Sequence, residues 1–313
     1  MAKILISEKV HPCGPQLLVE AGHEVIYLED KGALAAKLQE VDGVFVRILD
    51  ITPEMLKNAP NLKIISKHGV GLDNIALDAA KECGVVVTST PNANSLAVAE
   101  FAFTLMMTLA KNVVPVVDAY KNSGLGIESR NKVSLGTELT GKTLGILGLG
   151  RIGSMVAKMA MGGFGMKVML YDPYVKNPPE GIQQVDNVEE IYKAADFITL
   201  HLPLVPETKH MLNARAFELM KPTAILINCA RGPIVDEAAL IEALRSGKIG
   251  GAGLDVTDPE PAEPDNPLFT MSNVIVTPHY APFTKETAEG VSKMGCENLI
   301  AFFAGKEMVG RIV

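Results

Sequence analysis

A chain of 313 residues is longer than one hydrophobic core comfortably serves, so two domains are expected. Its 48% hydrophobic and 21% charged residues are those of a globular protein and exclude a disordered one. A net charge of −7 and a pI near 5.5 give nucleic acid and anionic membrane no general attraction, so neither is expected as a partner.

The N-terminal "MAKILISEKV" runs straight into a strand pattern, with no basic region, apolar core and cleavage site of a secretory signal. Strand candidates follow at "KILIS", "HEVIYL", "GVFVR", "KIISKH" and "VVVTST". Turn residues in "TPNANSLAVAE" (90–100) then lead into a long helical pattern, which places a domain join there. The apolar stretch Phe101–Ala110, between Glu100 and Lys111, is too short to span a bilayer and is expected as a buried helix of a core or subunit interface. A second strand series runs through "KTLGILGL", "KVMLYD", "FITLHLP", "AILINCA", "GAGLDV" and "NVIVTPH". The proline-rich "DPEPAEPDNP" (258–267) reads as a loop, and a last helix is expected over about 284–304. Strands alternating with helical patterns predict an α/β protein with two doubly wound parallel sheets. The four cysteines are scattered without a CxxC pair, so reduced thiols, a cytoplasmic setting, no disulfide and no metal site are expected.

"GILGLGRIG" carries Gly148, Gly150 and Gly153 as G-x-G-x-x-G after a strand and before an amphipathic helix, and the next strand ends in Asp172, 19 residues beyond Gly153. In a dinucleotide site Gly148 permits the tight turn, Gly150 lets the backbone approach a pyrophosphate, and Gly153 allows close helix–strand packing. The helix N-terminus offers its N–H groups to the phosphates. Asp172 can accept from both ribose hydroxyls and repels a 2′-phosphate; with no arginine directly after it, NAD is favoured over NADP. The competing explanation is a packing turn without a ligand, and S-adenosylmethionine sites share the fold, so the fingerprint alone names no reaction.

Three residues at strand ends supply chemistry. Arg231 follows "AILINCA" and is shaped to grip a carboxylate through two parallel hydrogen bonds, unless it pairs with Asp236 or Glu237. Glu260 stands between two prolines just past "GLDV", where a lone carboxylate is usually surface. His279 follows "VIVTP", and a lone histidine there can be structural or can exchange a proton near neutral pH. Together a cationic fork, an imidazole and a carboxylate to orient it are what hydride transfer between NAD and a 2-hydroxy acid requires.

Over nearly its whole length the chain resembles the D-isomer-specific 2-hydroxyacid dehydrogenases, through "KHGVGLDNI", "TPNANSLAVAE", "GTELTGKTLGILGLGRIG", "NCARGPIVDEAAL", "GLDVTDPEP" and "TPH". The resemblance implies that Arg231 binds the substrate carboxylate, that His279 is the general acid/base and that Glu260 pairs with it. It implies a flavodoxin-like substrate domain (1–97 plus 286–313), an inserted Rossmann NAD-binding domain (98–285), and a homodimer. It extends the cofactor contacts to Arg151, Ile152, Leu202, Pro203, Cys229, Ala230, Asp255 and Val70, and places the carboxylate beside a nest of Gly69, Val70 and Gly71 amides. Within the family the chain is most similar to the phosphoglycerate dehydrogenases of serine biosynthesis, which implies that Arg47 and Lys67 face a substrate phosphate. The competing explanation for Lys67 is a solvated strand-end lysine. The 313 residues hold no counterpart of the C-terminal regulatory domain of longer phosphoglycerate enzymes, so a short form without serine feedback is expected. The family commonly follows its histidine with Ile-Gly-Ala-Ser-Thr, whereas this chain has Tyr280-Ala281-Pro282-Phe283-Thr284. That departure leaves a glyoxylate, hydroxypyruvate or other 2-ketoacid reductase as an alternative, and a corepressor-like NAD(H)-sensing interaction protein as one of another class.

Overall fold

The structure, a computed structural model, describes residues 1–122 and 126–313. The chain divides into two compact units, Met1–Asn94 with Phe283–Val313, and Ser95–Pro282.

The first unit is built on β1 (Lys3–Ile6), β2 (Glu24–Tyr27), β3 (Gly43–Val46), β4 (Ile64–Lys67) and β5 (Val86–Thr88), all parallel in the order β2-β1-β3-β4-β5. Every residue of β3 and β4 is buried, as in a parallel sheet covered on both faces; β3 is apolar throughout, while β4 also buries Ser66 and Lys67. One layer of its core joins Leu5, Val44 and Ile65 to the helices Leu34–Leu38, Pro53–Lys57 and Leu77–Glu82. The helix Lys285–Phe303 returns to the other face, where it packs on the helix Cys13–Glu20 and contributes Cys296 and Leu299 to the second layer. Thr284 caps it, accepting from the Thr287 amide at 3.1 Å.

The second unit carries β6 (Thr143–Leu147), β7 (Lys167–Tyr171), β8 (Ile182–Gln184), β9 (Phe197–Leu200), β10 (Ile225–Asn228), β11 (Gly251–Leu254) and β12 (Val274–Val276). Their order is β12-β11-β10-β9-β6-β7-β8, again all parallel. The chain starts at β6, winds outward to β8, then returns to β9 on the other side of β6 and winds the opposite way. The reversal lies at β6/β9, and ligands of such sheets bind outside the strand ends at that point. The helix Ser95–Ala110 is apolar nearly all round and packs on β10 and β11 through Ala102, Leu105 and Met106.

β8 escaped the sequence reading: in Ile182-Gln183-Gln184 only Ile182 is buried, so an edge strand of three residues leaves no alternating pattern. Among the described residues no single helix is long and apolar enough to cross a membrane, no disulfide links the four cysteines, and no cluster of three metal-ligating side chains occurs.

Candidate active site

In the second unit β6 delivers the glycine loop to the helix Arg151–Phe164. Gly148 has φ 92°, in the left-handed region, and a Cβ there would come within 2.7 Å of the His201 carbonyl oxygen and 3.0 Å of the Leu202 side chain. A Cβ on Gly153 would run into the Gly148 carbonyl. These two glycines are demanded by the chain's own packing, but Gly150 is not: a side chain there meets nothing within 4 Å. Gly150 is also the residue before the helix, whose first turn receives no side-chain cap. Open space over uncapped amides suits a pyrophosphate, and a packing turn alone leaves Gly150 unexplained.

Asp172, at the end of β7, accepts the Leu149 amide on Oδ2 at 2.8 Å and the Tyr174 amide on Oδ1 at 2.9 Å, so it braces the loop and keeps lone pairs for ribose hydroxyls. Arg151 is exposed and Ile152 half-buried at the helix start. After β9, the Pro203 carbonyl accepts the Thr208 hydroxyl at 2.7 Å, and that oxygen in turn accepts the Val205 amide at 2.9 Å.

The strand ends β10 to β12 bring the chemical groups of this unit together. Asn228 is buried in β10, where its amide donates to the Arg231 carbonyl and its carbonyl accepts from the Ala230 amide, both at 2.9 Å. The segment bearing Cys229, Ala230 and Arg231 is thereby curled back on its own strand. Arg231 Nη1 donates to the Ala230 carbonyl at 2.7 Å. Burial, and next the Asp255 charge, push the Cys229 thiol far up, which keeps it protonated and unfit as a nucleophile. Asp236 and Glu237, the carboxylates suggested for Arg231, have other work. Asp236 caps the helix Glu237–Arg245 through the Ala239 amide, and Glu237 accepts from the Asp258 amide at 3.0 Å and the Asn266 amide group at 2.6 Å. A Cβ on Gly232 would run into the Thr257 carbonyl, so the Arg231 loop lies directly against the loop that leads to Glu260.

His279 Nδ1 lies 2.6 Å from Glu260 Oε1. A carboxylate only accepts, so Nδ1 carries the hydrogen and Nε2 is left to exchange a proton. His279 has φ 52°, costly for a residue with a Cβ, and Asp255 sustains it. The Asp255 backbone carbonyl accepts the His279 amide at 2.9 Å. Its carboxylate accepts the Thr277 hydroxyl at 2.6 Å and the Tyr280 and Ala281 amides at 2.7 and 2.8 Å. Asp255 was expected only as a cofactor contact, and its clamp on this turn went unseen. The Tyr280 ring, 46% exposed, lies 6.0 Å from Phe101.

In the first unit Arg47 follows β3 and Lys67 ends β4, in the adjacent register position to Val46. Lys67 is 7% exposed and its ammonium donates to the Arg47 carbonyl, which removes the explanation of a solvated strand-end lysine. The Arg47 guanidinium stands 5.8 Å above the centre of the Phe283 ring. Gly69, at φ 116°, donates its amide to the Thr90 hydroxyl at 2.9 Å, so the expected nest retains the amides of Val70 and Gly71. Glu8 was missed. From the end of β1 its carboxylate accepts the amides of Arg47, Ile48 and Leu49 at 2.8, 2.5 and 2.9 Å, and the Ser7 hydroxyl. Burial would push this carboxyl up, but the Ser7 hydroxyl and the three amides outweigh it and hold it below its ordinary value. The signal was weak: Glu8 stands two residues past β1, but without the glycine fingerprint and spacing that singled out Asp172.

The doubly wound sheet, the glycine loop and the carboxylate that braces it define an NAD-binding α/β protein, with a hydrogen-bonded carboxylate–imidazole pair at its strand ends. Residues 103–281 match the family described as D-isomer specific 2-hydroxyacid dehydrogenase, NAD binding domain. Over 98% of its length the chain is 42% identical to a D-3-phosphoglycerate dehydrogenase of Methanocaldococcus jannaschii, of which it spans 58%. Over 97% it is 41% identical to a glyoxylate reductase of Thermococcus litoralis, of which it covers 94%. The crystal structure of an NAD-dependent formate dehydrogenase from Staphylococcus aureus in complex with NAD is similar at a TM-score of 0.88 and 32% identity, over 99% of both chains. The chain belongs to the D-isomer-specific 2-hydroxyacid dehydrogenase family, and its cofactor is NAD.

Proposed function

We propose that the protein is an NAD-dependent dehydrogenase acting on a D-2-hydroxy acid, with 3-phosphoglycerate and 3-phosphohydroxypyruvate as the substrate pair of serine biosynthesis. The observation that carries the reaction is the Glu260–His279 pair at 2.6 Å, with Glu260 three residues beyond Thr257, the residue against which Gly232 seats the Arg231 loop. Arg231 binds the substrate carboxylate through its guanidinium fork and polarises the C2 oxygen. In oxidation His279 Nε2 takes the hydroxyl proton, and Glu260 on Nδ1 holds the tautomer and stabilises the imidazolium; in reduction the same nitrogen returns the proton. NAD, once held by the residues below, would supply the hydride acceptor for C2 in oxidation and, as NADH, the hydride donor in reduction. Gly148, Gly150, Gly153 and Asp172 hold the dinucleotide, with Arg151, Ile152, Leu202, Pro203, Cys229, Ala230, Asp255 and Val70 around it. In the first unit the Val70 and Gly71 amides are assigned to the carboxylate, and Arg47 and Lys67 to the phosphate as positive charge.

The phosphoglycerate reading draws on the Methanocaldococcus relative and the basic pair; the glyoxylate reductase of Thermococcus, matched over nearly its full length, supports reduction of a smaller keto acid as the second reading. Steady-state rates with NADH and NADPH against phosphohydroxypyruvate, hydroxypyruvate, glyoxylate and pyruvate separate them. The highest kcat/KM is expected with phosphohydroxypyruvate and NADH. A maximum with glyoxylate establishes the second reading, and no turnover on any acid leaves an NAD(H)-sensing interaction protein.

A homodimer and a cytoplasmic setting complete the proposal. No residue of the helix Val113–Asn122 is buried in the chain, and Val113, Val114, Val116, Val117 and Tyr120 are each 39–46% exposed, an apolar face that a second copy would cover. Light scattering should give twice the 33.4 kDa chain mass, and a Val117→Asp variant should fall to one chain.

A further inference from the structure

Arg47 is held from three directions inside the first unit. Three successive amides, those of Arg47, Ile48 and Leu49, converge on the two Glu8 oxygens at 2.8, 2.5 and 2.9 Å. Successive N–H groups converging in this way make an anion-binding nest, and the anion in it is the chain's own carboxylate. Such bonds are charge-assisted, so they fix the backbone after β3 more firmly than neutral turn bonds would. The Lys67 ammonium holds the Arg47 carbonyl from the neighbouring strand. At the far end of the side chain the guanidinium lies over Phe283, 5.8 Å from the ring centre, which restrains a group that otherwise keeps much rotamer freedom. Phe283 is 59% exposed, and an aromatic ring in that position gives a cation a surface to rest on.

We infer that Glu8 is a positioning residue for recognition of the substrate's distal anionic group: with Phe283 it presets the Arg47 guanidinium to receive a phosphate, so that ordering this arginine costs little when substrate binds. The inference rests on the reading that Arg47 meets the substrate phosphate. Its physical content is preorganisation, which lowers KM for substrates carrying the distal anion and leaves those without it untouched. Glu8 touches neither substrate nor cofactor and acts through Arg47.

Phosphohydroxypyruvate and hydroxypyruvate share one carbon skeleton and differ in the phosphate, so their kcat/KM ratio is the readout. Glu8→Gln is nearly isosteric: its carbonyl oxygen still serves the Ile48 and Leu49 amides, but its NH2 group meets the Arg47 amide donor to donor. It should raise KM for phosphohydroxypyruvate about tenfold, as expected for loss of a charge-assisted contact, with kcat and the hydroxypyruvate kcat/KM within about twofold of wild type. Phe283→Leu keeps most of the volume without the ring and should shift the same ratio by about two- to fivefold in the same direction. A Glu8→Gln enzyme that keeps the wild-type ratio, or loses activity on both acids equally, overturns the inference and reduces Glu8 to a fold-supporting residue. Arg47→Met is the control on the underlying reading. Should wild type show no preference for the phosphorylated acid, or Arg47→Met retain it, the phosphate reading fails and takes the inference with it. Loss of preference in Arg47→Met with an unchanged ratio in both other variants sinks the inference alone.

Discussion

The proton-transfer role proposed for His279 rests on a single side chain and one contact. His279 next to Glu260 has its Nδ1 occupied at 2.6 Å, which leaves Nε2 as the exchanging atom. His279→Ala should therefore lower turnover by ~10²–10⁴, the usual span for losing a general acid/base, while NADH affinity measured by fluorescence titration stays near normal. Wild-type turnover in that variant would end the assignment. The sequence disclosed these two residues because each stands just past a strand and their chemistry matches. It gave no cue that Asp255 clamps the turn after His279, because its partners, Thr277, Tyr280 and Ala281, lie more than twenty residues away on another strand end. Nor did it show Lys67 turned onto the Arg47 carbonyl, since a lysine ending a strand reads the same whether it is solvated or buried.

At the scale of one element, the β6–helix junction separates glycines that packing demands from one, Gly150, that it leaves open. Gly148 is committed by its φ of 92° and by the His201 carbonyl, whereas a side chain at Gly150 enters open space. Gly150→Val is expected to leave the melting temperature within about 2 °C of wild type, as for a surface substitution, yet abolish measurable NADH binding. Gly148→Ala should lower the melting temperature, because alanine must adopt a left-handed conformation against a backbone oxygen. Equal loss of stability in both variants would show that Gly150 serves packing after all. Long elements were legible because periodicity accumulates over many residues, and the last helix, expected over about 284–304, spans Lys285–Phe303. The short β8 was not, since its three residues sit at a sheet edge with one face to solvent.

For the molecule as a whole, the two histidines that burial depresses furthest link stability to pH. Burial pushes His201 down to about 4, and burial, followed by the Arg47 charge, does the same to His68. Both stay neutral in the native protein while the unfolded chain titrates near 6.5. As pH falls from 6.5 towards 4 the unfolded state binds protons at these histidines that the native state does not, so their contribution to stability is lost through that window and no further below it. Calorimetric melting temperatures should be flat just above pH 6.5 and decline between 6.5 and about 4. His68→Gln, which cannot take up the proton in either state, should flatten part of that decline, and an unchanged slope would remove His68 from the account.

The sequence by itself determined the parallel α/β class, the placement of most strands, the dinucleotide loop and the chemical types of Arg231, Glu260 and His279, because each is written in local period, spacing or residue type. Tertiary structure alone decided which strands are neighbours, and with that which side chains meet. Only because β1 pairs with β3 does Glu8 reach the amides of Arg47 to Leu49, roughly forty residues on. Only the β11–β12 pairing brings Asp255 under His279. Strand order in a parallel sheet is fixed by crossovers and by burial of both faces, which are properties of the assembled core that no short window of residues contains.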